Sequence, residues 1–330
     1  NRRYFEDVLP DMIQWQNVPL AVIFADINGL KMTNDIFGHK AGDTLIRKIA
    51  DILQKFCRPR DVVARVGGDE FVLLLPCTTA DELKAKLDQI RKEIAHARVE
   101  AIQCSLSLGS DIILGSNENI EEVLANAENA MYRDKALNRF ATDRDMVNTI
   151  VAALHGRNVR EQEHSAAVCQ LCFDLGAALQ ADEATIHKLQ RAGYLYDIGK
   201  IVLDPELLDK PTLKPEEKQQ MQRHCAVGYR ILNLFDETLD LAEGVYGHHE
   251  HWDGSGYPRG LKGAEIPWVS RVITVAEIYE RAYFAASGSE MDRRKQGLQR
   301  IRRGIGKEFD PEIAAAFVDM IWDRQKISGA

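Results

Sequence analysis

RVGGDEFVLLLP, residues 65–76, is the stretch that decides how the first half of the chain folds. With DVVARV (61–66) running into it, two strand-length apolar runs flank Gly67, Gly68, Asp69 and Glu70. This predicts a β-hairpin whose glycines accept positive φ at little steric cost. Upstream, LAVIFAD (20–26) is a short apolar run ending in an acid, the pattern of a buried strand, and a polar loop is expected after it. AGDTLIRKIADILQKF (41–56) carries Leu45, Ile46, Ile49, Ile52, Leu53 and Phe56 at helical spacing. Downstream, TADELKAKLDQIRKEIAHA (79–97) reads as helix, AIQCSLSLG (101–109) alternates as a strand, and NIEEVLANAENAMYRDKAL (119–137) returns to helix. The first half is therefore mixed α/β.

The 330 residues suffice for two domains, each with its own core. Hydrophobic content of 45% with 28% charged residues describes an ordinary globular chain, and no apolar run approaches the roughly 18 residues of a membrane span. The net charge of −8, without a basic tail or stripe, argues against a nucleic-acid binder. Six dispersed cysteines do not make a disulfide framework, so a reducing, cytoplasmic setting is expected. Cys169 and Cys172 form a lone CxxC in a helical stretch and read as core residues.

Beyond about residue 143 strand signals stop, and helical patterns cover 146–154, 165–179, 184–194, 215–234 and 267–286. This gives an all-α second domain, with boundaries at 1–142 and 143–330. Residues 140–148 lack Gly, Pro and Ser, so a stiff helical connection is expected. NRRYFEDVL already resembles an amphipathic helix, so an upstream portion is expected to be missing. Seven of the nine histidines lie after residue 140, which points to a metal site there.

Asp26, Asp69 and Glu70 can converge at one end of the sheet, and hard oxygen ligands of this kind hold Mg²⁺ against a nucleotide triphosphate. A Gly-Gly-Asp-Glu tip alone could equally be a solvated turn. The wider pattern weighs against that: 26–53 (DINGLKMTNDIFGHKAGDTLIRKIADIL), 65–76, SLG (107–109) and AENAMYRDKALNR (127–139) stand in the order and spacing of the GGDEF family of diguanylate cyclases. The chain resembles that family over roughly residues 1–140. The resemblance implies a palm-like α/β fold that condenses two GTP into cyclic di-GMP with Mg²⁺ or Mn²⁺. It implies Asp26, Asp69 and the Ile27 carbonyl as metal ligands and Glu70 beside them. It also implies Lys31, Lys135 and Arg139 as phosphate partners, and Asn34 and Asp43 as guanine readers. An aspartate suits guanine, whose N1–H and exocyclic amine both donate, whereas adenine N1 accepts.

RPRD (58–61) lies at the offset of the family's inhibitory RxxD site, which implies that Arg58 and Asp61 bind product and brake the enzyme. Alone, such a pair would be a surface ion pair. Because each protomer of such an enzyme holds one GTP, a homodimer is implied.

In the second half, EHSAAV (163–168), AGYLYDIGKIVLDPELLDKP (192–211), RHCAVGYRIL (223–232) and HHEHWDGSGYPRGLKGAEIPWVSRVITVAEIY (248–279) closely resemble the HD-GYP family of cyclic di-GMP phosphodiesterases. The resemblance implies a helical HD-superfamily fold and metal-assisted attack of water on a phosphodiester. It implies His164, Asp197, His224, His248, His249 and Glu277 as ligands of iron or manganese, and Lys200 as a phosphate contact. Tyr196 stands where the family has the histidine of its His-Asp pair, and a phenol is a poor ligand at neutral pH. Glu277 replaces an aspartate, and YERAYFAASGSEMDRR (279–294) replaces a basic, substrate-holding stretch. The expectation is a product-inhibited cyclase fused to an HD-GYP-like domain with impaired hydrolysis. The alternatives are a working phosphodiesterase with a variant metal site, and a cyclic di-GMP-binding regulator without catalysis.

Overall fold

The structure, a computed structural model, describes residues 1–100, 102–115, 119–208, 210 and 212–328, and the side chains of these apart from residues 15, 138–145 and 324–328. It divides into two compact units, Asn1–Thr149 and Ile150–Ala330.

In the first unit the elements run α1 (Arg2–Met12), β1 (Leu20–Ile27), α2 (Leu30–Phe37), α3 (His39–Lys55), β2 (Val62–Arg65), β3 (Glu70–Leu75), α4 (Ala80–His96), β4 (Arg98–Val99), β5 (Ile102–Gln103), β6 (Leu106–Ile113) and α5 (Ile120–Arg157), whose last residues belong to the second unit. The main sheet has the order β2-β3-β1-β6, and its neighbours are antiparallel. β1 is covered on both faces, which is why its sequence is nearly all apolar rather than alternating. One face of β1, with Ala21, Ile23 and Ala25, packs with Leu45, Ile49 and Leu53 of α3 and Leu83, Ile90 and Ile94 of α4. Its other face, with Leu20 and Val22, packs with Val123 and Ala127 of α5 and residues of α1. Thr79 and Glu82 form a capping box that starts α4.

Three expectations need correction. The stretch after β1 is not a loop throughout: α2 occupies it, burying Met32, Thr33 and Ile36 on one side, with Gly29 at φ 74° before its first turn. Residues 102–113 form two strands, because β5 pairs with β4 while β6 joins the main sheet. The hairpin glycines Gly67 and Gly68 are not among the positive-φ residues. A Cβ on Gly67 would lie 2.5 Å from Glu70 Oε2, the movable end of that side chain, and one on Gly68 would meet nothing within 4 Å.

The second unit is helical: α6 (Val159–Ala178), α7 (Glu183–Leu195), α8 (Pro205–Leu208), α9 (Pro215–Leu232), α10 (Leu239–Tyr246), α11 (Trp268–Ala285), α12 (Glu290–Gly304) and α13 (Pro311–Ser328). A 3₁₀ helix, Ile198–Val202, presses on α9 so closely that a Cβ on Gly199 would lie 1.9 Å from the His224 carbonyl oxygen. That approach sets Asp197 beside His224. Among the described residues all six cysteines are unpaired.

Candidate functional site

Each unit carries a cluster of titratable groups. In the first, the β1–β3 register places Asp26 opposite Glu70, and Ile27 N–H donates to the Asp69 carbonyl at 2.9 Å. The hairpin tip is held by the Arg65 guanidinium, which donates to the Gly68 carbonyl at 2.7 Å and 3.2 Å. Asp69 and Glu70 are thereby fixed beside the end of β1. Asp26 is buried and accepts from Lys135 Nζ of α5 at 2.7 Å. Burial raises its pKa above the ordinary carboxylate value and outweighs the opposing pull of Lys135. Glu70 is raised by burial first and then by the charges of Asp69 and Asp26. A divalent cation would relieve the cost of keeping the Asp26 and Glu70 carboxylates charged, so these residues could hold one.

Gly109 explains how α5 reaches this site. A Cβ on Gly109 of β6 would lie 2.0 Å from Met131 N and 2.2 Å from the Ala127 carbonyl oxygen, so the helix backbone rests directly on the strand. Lys31 is exposed in the first turn of α2. Asn34 of α2 lies over Gly42, where a Cβ would fall 2.0 Å from its Oδ1, so it stands against the residue preceding the exposed Asp43. The side chain of Arg139 lies outside the described residues.

Asp61 is more enclosed than a surface ion pair. Its side chain has 0% exposure. It accepts from Arg58 N–H at 2.9 Å, from Arg58 Nε at 3.1 Å and from Lys86 Nζ at 3.1 Å. Arg58 Nη2 also donates to the Pro76 carbonyl and to Thr78 Oγ1, each at 2.7 Å.

In the second unit, His224 Nδ1 donates to the Met221 carbonyl and His248 Nδ1 to the Val245 carbonyl. Their Nε2 atoms turn toward each other at 3.3 Å, with Asp197 Oδ1 at 3.4 Å and 4.0 Å. Burial lowers the His224 pKa to about 4, and it takes His249 well below the ordinary value. Burial works against Asp197, but Lys200 and the surrounding imidazoles hold its carboxyl well below the usual range. His224, Cys225, His248 and His249 offer ligand atoms within 4.8 Å of one another. Asp197 Oδ1 and Glu277 Oε2 are buried and accept no hydrogen bond from any described residue. Buried acceptors without donors fit a cation, and the Nδ1 bonds orient the rings as ligands.

The remaining expected residues are engaged otherwise. His164 bonds to Glu280 through Nδ1 and to the Tyr196 hydroxyl through Nε2 at 2.5 Å. Glu280 is itself paired with Arg160 at 2.6 Å. Burial raises the Tyr196 phenol well above its ordinary value, so it keeps its proton. Glu277 Oε1 lies 3.1 Å from Arg281 Nη1. Lys200 is buried, 2.8 Å from Asp197 Oδ2 and 3.0 Å from Glu161 Oε2. Sequence reasoning missed Cys225, Glu161, Glu280, Arg160 and Arg281. Cys225 was signalled by adjacency to His224, whereas the others meet their partners only through the fold.

Residues 1–140 match the family model described as the diguanylate cyclase GGDEF domain, and residues 144–313 match that of the HD domain. The chain belongs to the GGDEF–HD proteins. It is 34% identical over 167 residues to a cyclic di-GMP phosphodiesterase of Thermotoga maritima, covering 50% of this chain and 45% of that protein. It is 28% identical over 292 residues to the cyclic di-GMP phosphodiesterase response regulator RpfG of Xanthomonas campestris pv. campestris, covering 84% of this chain and 65% of that one. A crystal structure of the GGDEF domain of DgcB from Caulobacter crescentus in complex with c-di-GMP aligns with 26% identity and a TM-score of 0.38, over 41% of this chain and 85% of that one. The GGDEF–HD chain thus spans less than two thirds of the length of these curated relatives. Its fold is an α/β GGDEF domain followed by an all-α HD domain. Among the described residues no helix is long and apolar enough to cross a membrane.

Proposed function

We propose that this GGDEF–HD chain works in cyclic di-GMP signalling as a diguanylate cyclase, with an HD unit impaired in hydrolysis. The observation that carries the reading is the meeting of Asp26, Asp69 and Glu70 at one sheet end with Lys135 on Asp26. Asp26, Asp69 and the Ile27 carbonyl would hold a divalent ion, which would supply charge neutralisation at the reacting phosphate and ease loss of the 3′-hydroxyl proton. Lys135, Lys31 and Arg139 bind the triphosphate and offset charge on the departing pyrophosphate. Asn34 and Asp43 read guanine from neighbouring positions on α2 and α3. Glu70 lies at the metal and ribose side. Two such sites must face each other to join two GTP molecules, so the active species is a homodimer.

Arg58 and Asp61 form the product site, with the Arg58 guanidinium as the half-exposed partner. Hydrolysis by the HD unit is a second reading, supported by the convergence of His224, His248 and Asp197. Weighing against it, His164 is bonded at both ring nitrogens. The deciding experiment incubates the dimeric chain with GTP and Mg²⁺, and in parallel with cyclic di-GMP, and resolves the nucleotides by chromatography. Cyclic di-GMP from GTP without its conversion to linear dinucleotide or GMP supports the reading. Hydrolysis without synthesis overturns it in favour of the second.

A further inference from the structure

The His224 and His248 rings each give the Nδ1 proton to a carbonyl, which can only accept. Each ring therefore turns its Nε2 into the cluster, and the two Nε2 atoms face each other at 3.3 Å beside the orphaned Asp197 Oδ1. Brought together in a buried site, three such ligand atoms are unfavourable without a positive charge. A cation supplies that charge, and the spacing suits one: donors about 2.1 Å from a common ion at near-tetrahedral angles lie about 3.4 Å apart. His249 supplies a further ligand atom in the same cluster.

The donors left for a second ion are Tyr196, His164 and Glu277; the first two are engaged with each other, and Glu277 is engaged at Oε1 while its Oε2 accepts no hydrogen bond from any described residue. The Tyr196 hydroxyl donates to His164 Nε2, which consumes the lone pair that a metal would use. His164 Nδ1 donates in turn to Glu280 Oε2, and Arg160 Nη2 closes the chain, 2.7 Å from that same oxygen and 2.6 Å from Oε1. Arg281 places a guanidinium on Glu277 Oε1, adding positive charge where a second cation would sit. We propose that the HD unit holds one divalent ion, at Asp197, His224, His248 and His249, and that the hydrogen-bonded chain Arg160, Glu280, His164, Tyr196 fills the place of a second. This rests on the HD unit being a metal site and is independent of cyclase activity.

The test counts metal by inorganic mass spectrometry, after Mn²⁺ loading and desalting, in the full chain carrying Asp26→Asn and Asp69→Asn so that the first unit does not contribute. One manganese per chain is expected, with the electron-spin spectrum of isolated Mn²⁺. Tyr196→Phe frees His164 Nε2 but supplies no ligand in place of the phenol, and one added imidazole leaves the count at one. Tyr196→His with Glu277→Asp raises it to two and gives a spin-coupled spectrum. Two ions, or none, in the folded chain with native Tyr196 overturn the proposal, as does a folded double variant that stays at one. If the double variant fails to fold, the counts for native Tyr196 and Tyr196→Phe still decide. Loss of GTP turnover moves none of these numbers, so failure here is separable from failure of the cyclase reading.

Discussion

Lys135 Nζ stands 2.7 Å from Asp26 Oδ1, joining α5 to β1 across 109 residues of chain. The lysine is half-exposed while the carboxylate is buried, so the pair serves Asp26 more than Lys135. Lys135→Met leaves a buried carboxyl without its cation. The expected cost, discounted for the exposed lysine, is about 1–2 kcal/mol in denaturant titrations without metal. Mg²⁺ should recover part of it, and GTP turnover should fall by about tenfold or more. Unchanged stability would show that the pair is incidental.

A pH effect follows from the same cluster. Asp26 and Glu70 have folded-state pKa values raised above the ordinary 3.8 and 4.5. Their contribution to stability is therefore fully present below those ordinary values and is lost as pH rises through the elevated ones. Without metal, Asp26→Asn should gain on the native chain as pH rises through this window. Mg²⁺ needs the ionised form, so its stabilising increment should grow over the same window. Thermal melts in chelator and in Mg²⁺ across a pH series measure both; an increment that is flat or grows toward acid contradicts the assignment.

Gly109→Ala tests how the site is assembled. The added methyl would push against the α5 backbone at Ala127 and Met131, four residues before Lys135. The expected cost is about 1–3 kcal/mol, as for overpacked cores. GTP turnover should fall in the fraction that remains folded, because Lys135 moves away from Asp26. Retained turnover at full stability would mean that the contact is not needed.

Strand and helix positions were largely legible in the sequence because burial imposes period. Apolar residues 20–25 could only be an interior strand, and Leu45, Ile49, Ile52 and Leu53 lie on one side of α3, as their spacing requires. α2 was missed because it is only eight residues long, half of them polar, between two glycines. The catalytic letters were readable through motif resemblance, but their partners were not. Lys86 reaches Asp61 from 25 residues away, Glu161 reaches Lys200 from 39, and Glu280 reaches His164 from 116. No local pattern encodes such meetings. The hairpin glycines show the complementary error, since their position was right but positive φ was not the reason.

Arg58 and Asp61 should separate under mutation. Asp61→Ala removes a fully enclosed carboxylate that binds two cations and a backbone N–H, and should cost about 2–3 kcal/mol. Arg58→Ala leaves Lys86 on Asp61 and should cost about 1 kcal/mol or less. Both should relieve inhibition by added cyclic di-GMP. Calorimetry beside a product-inhibition titration checks this; equal destabilisation, or inhibition that survives in Arg58→Ala, contradicts it.

The central claim is synthesis at the Asp26, Asp69 and Glu70 cluster. Its most direct measurement uses protein concentrated until light scattering reports dimers, incubated with GTP and Mg²⁺ and resolved by chromatography. Cyclic di-GMP should form with the native chain, accumulate further with Arg58→Ala, and be absent with Asp26→Asn. No cyclic di-GMP from dimeric Arg58→Ala protein would contradict the account.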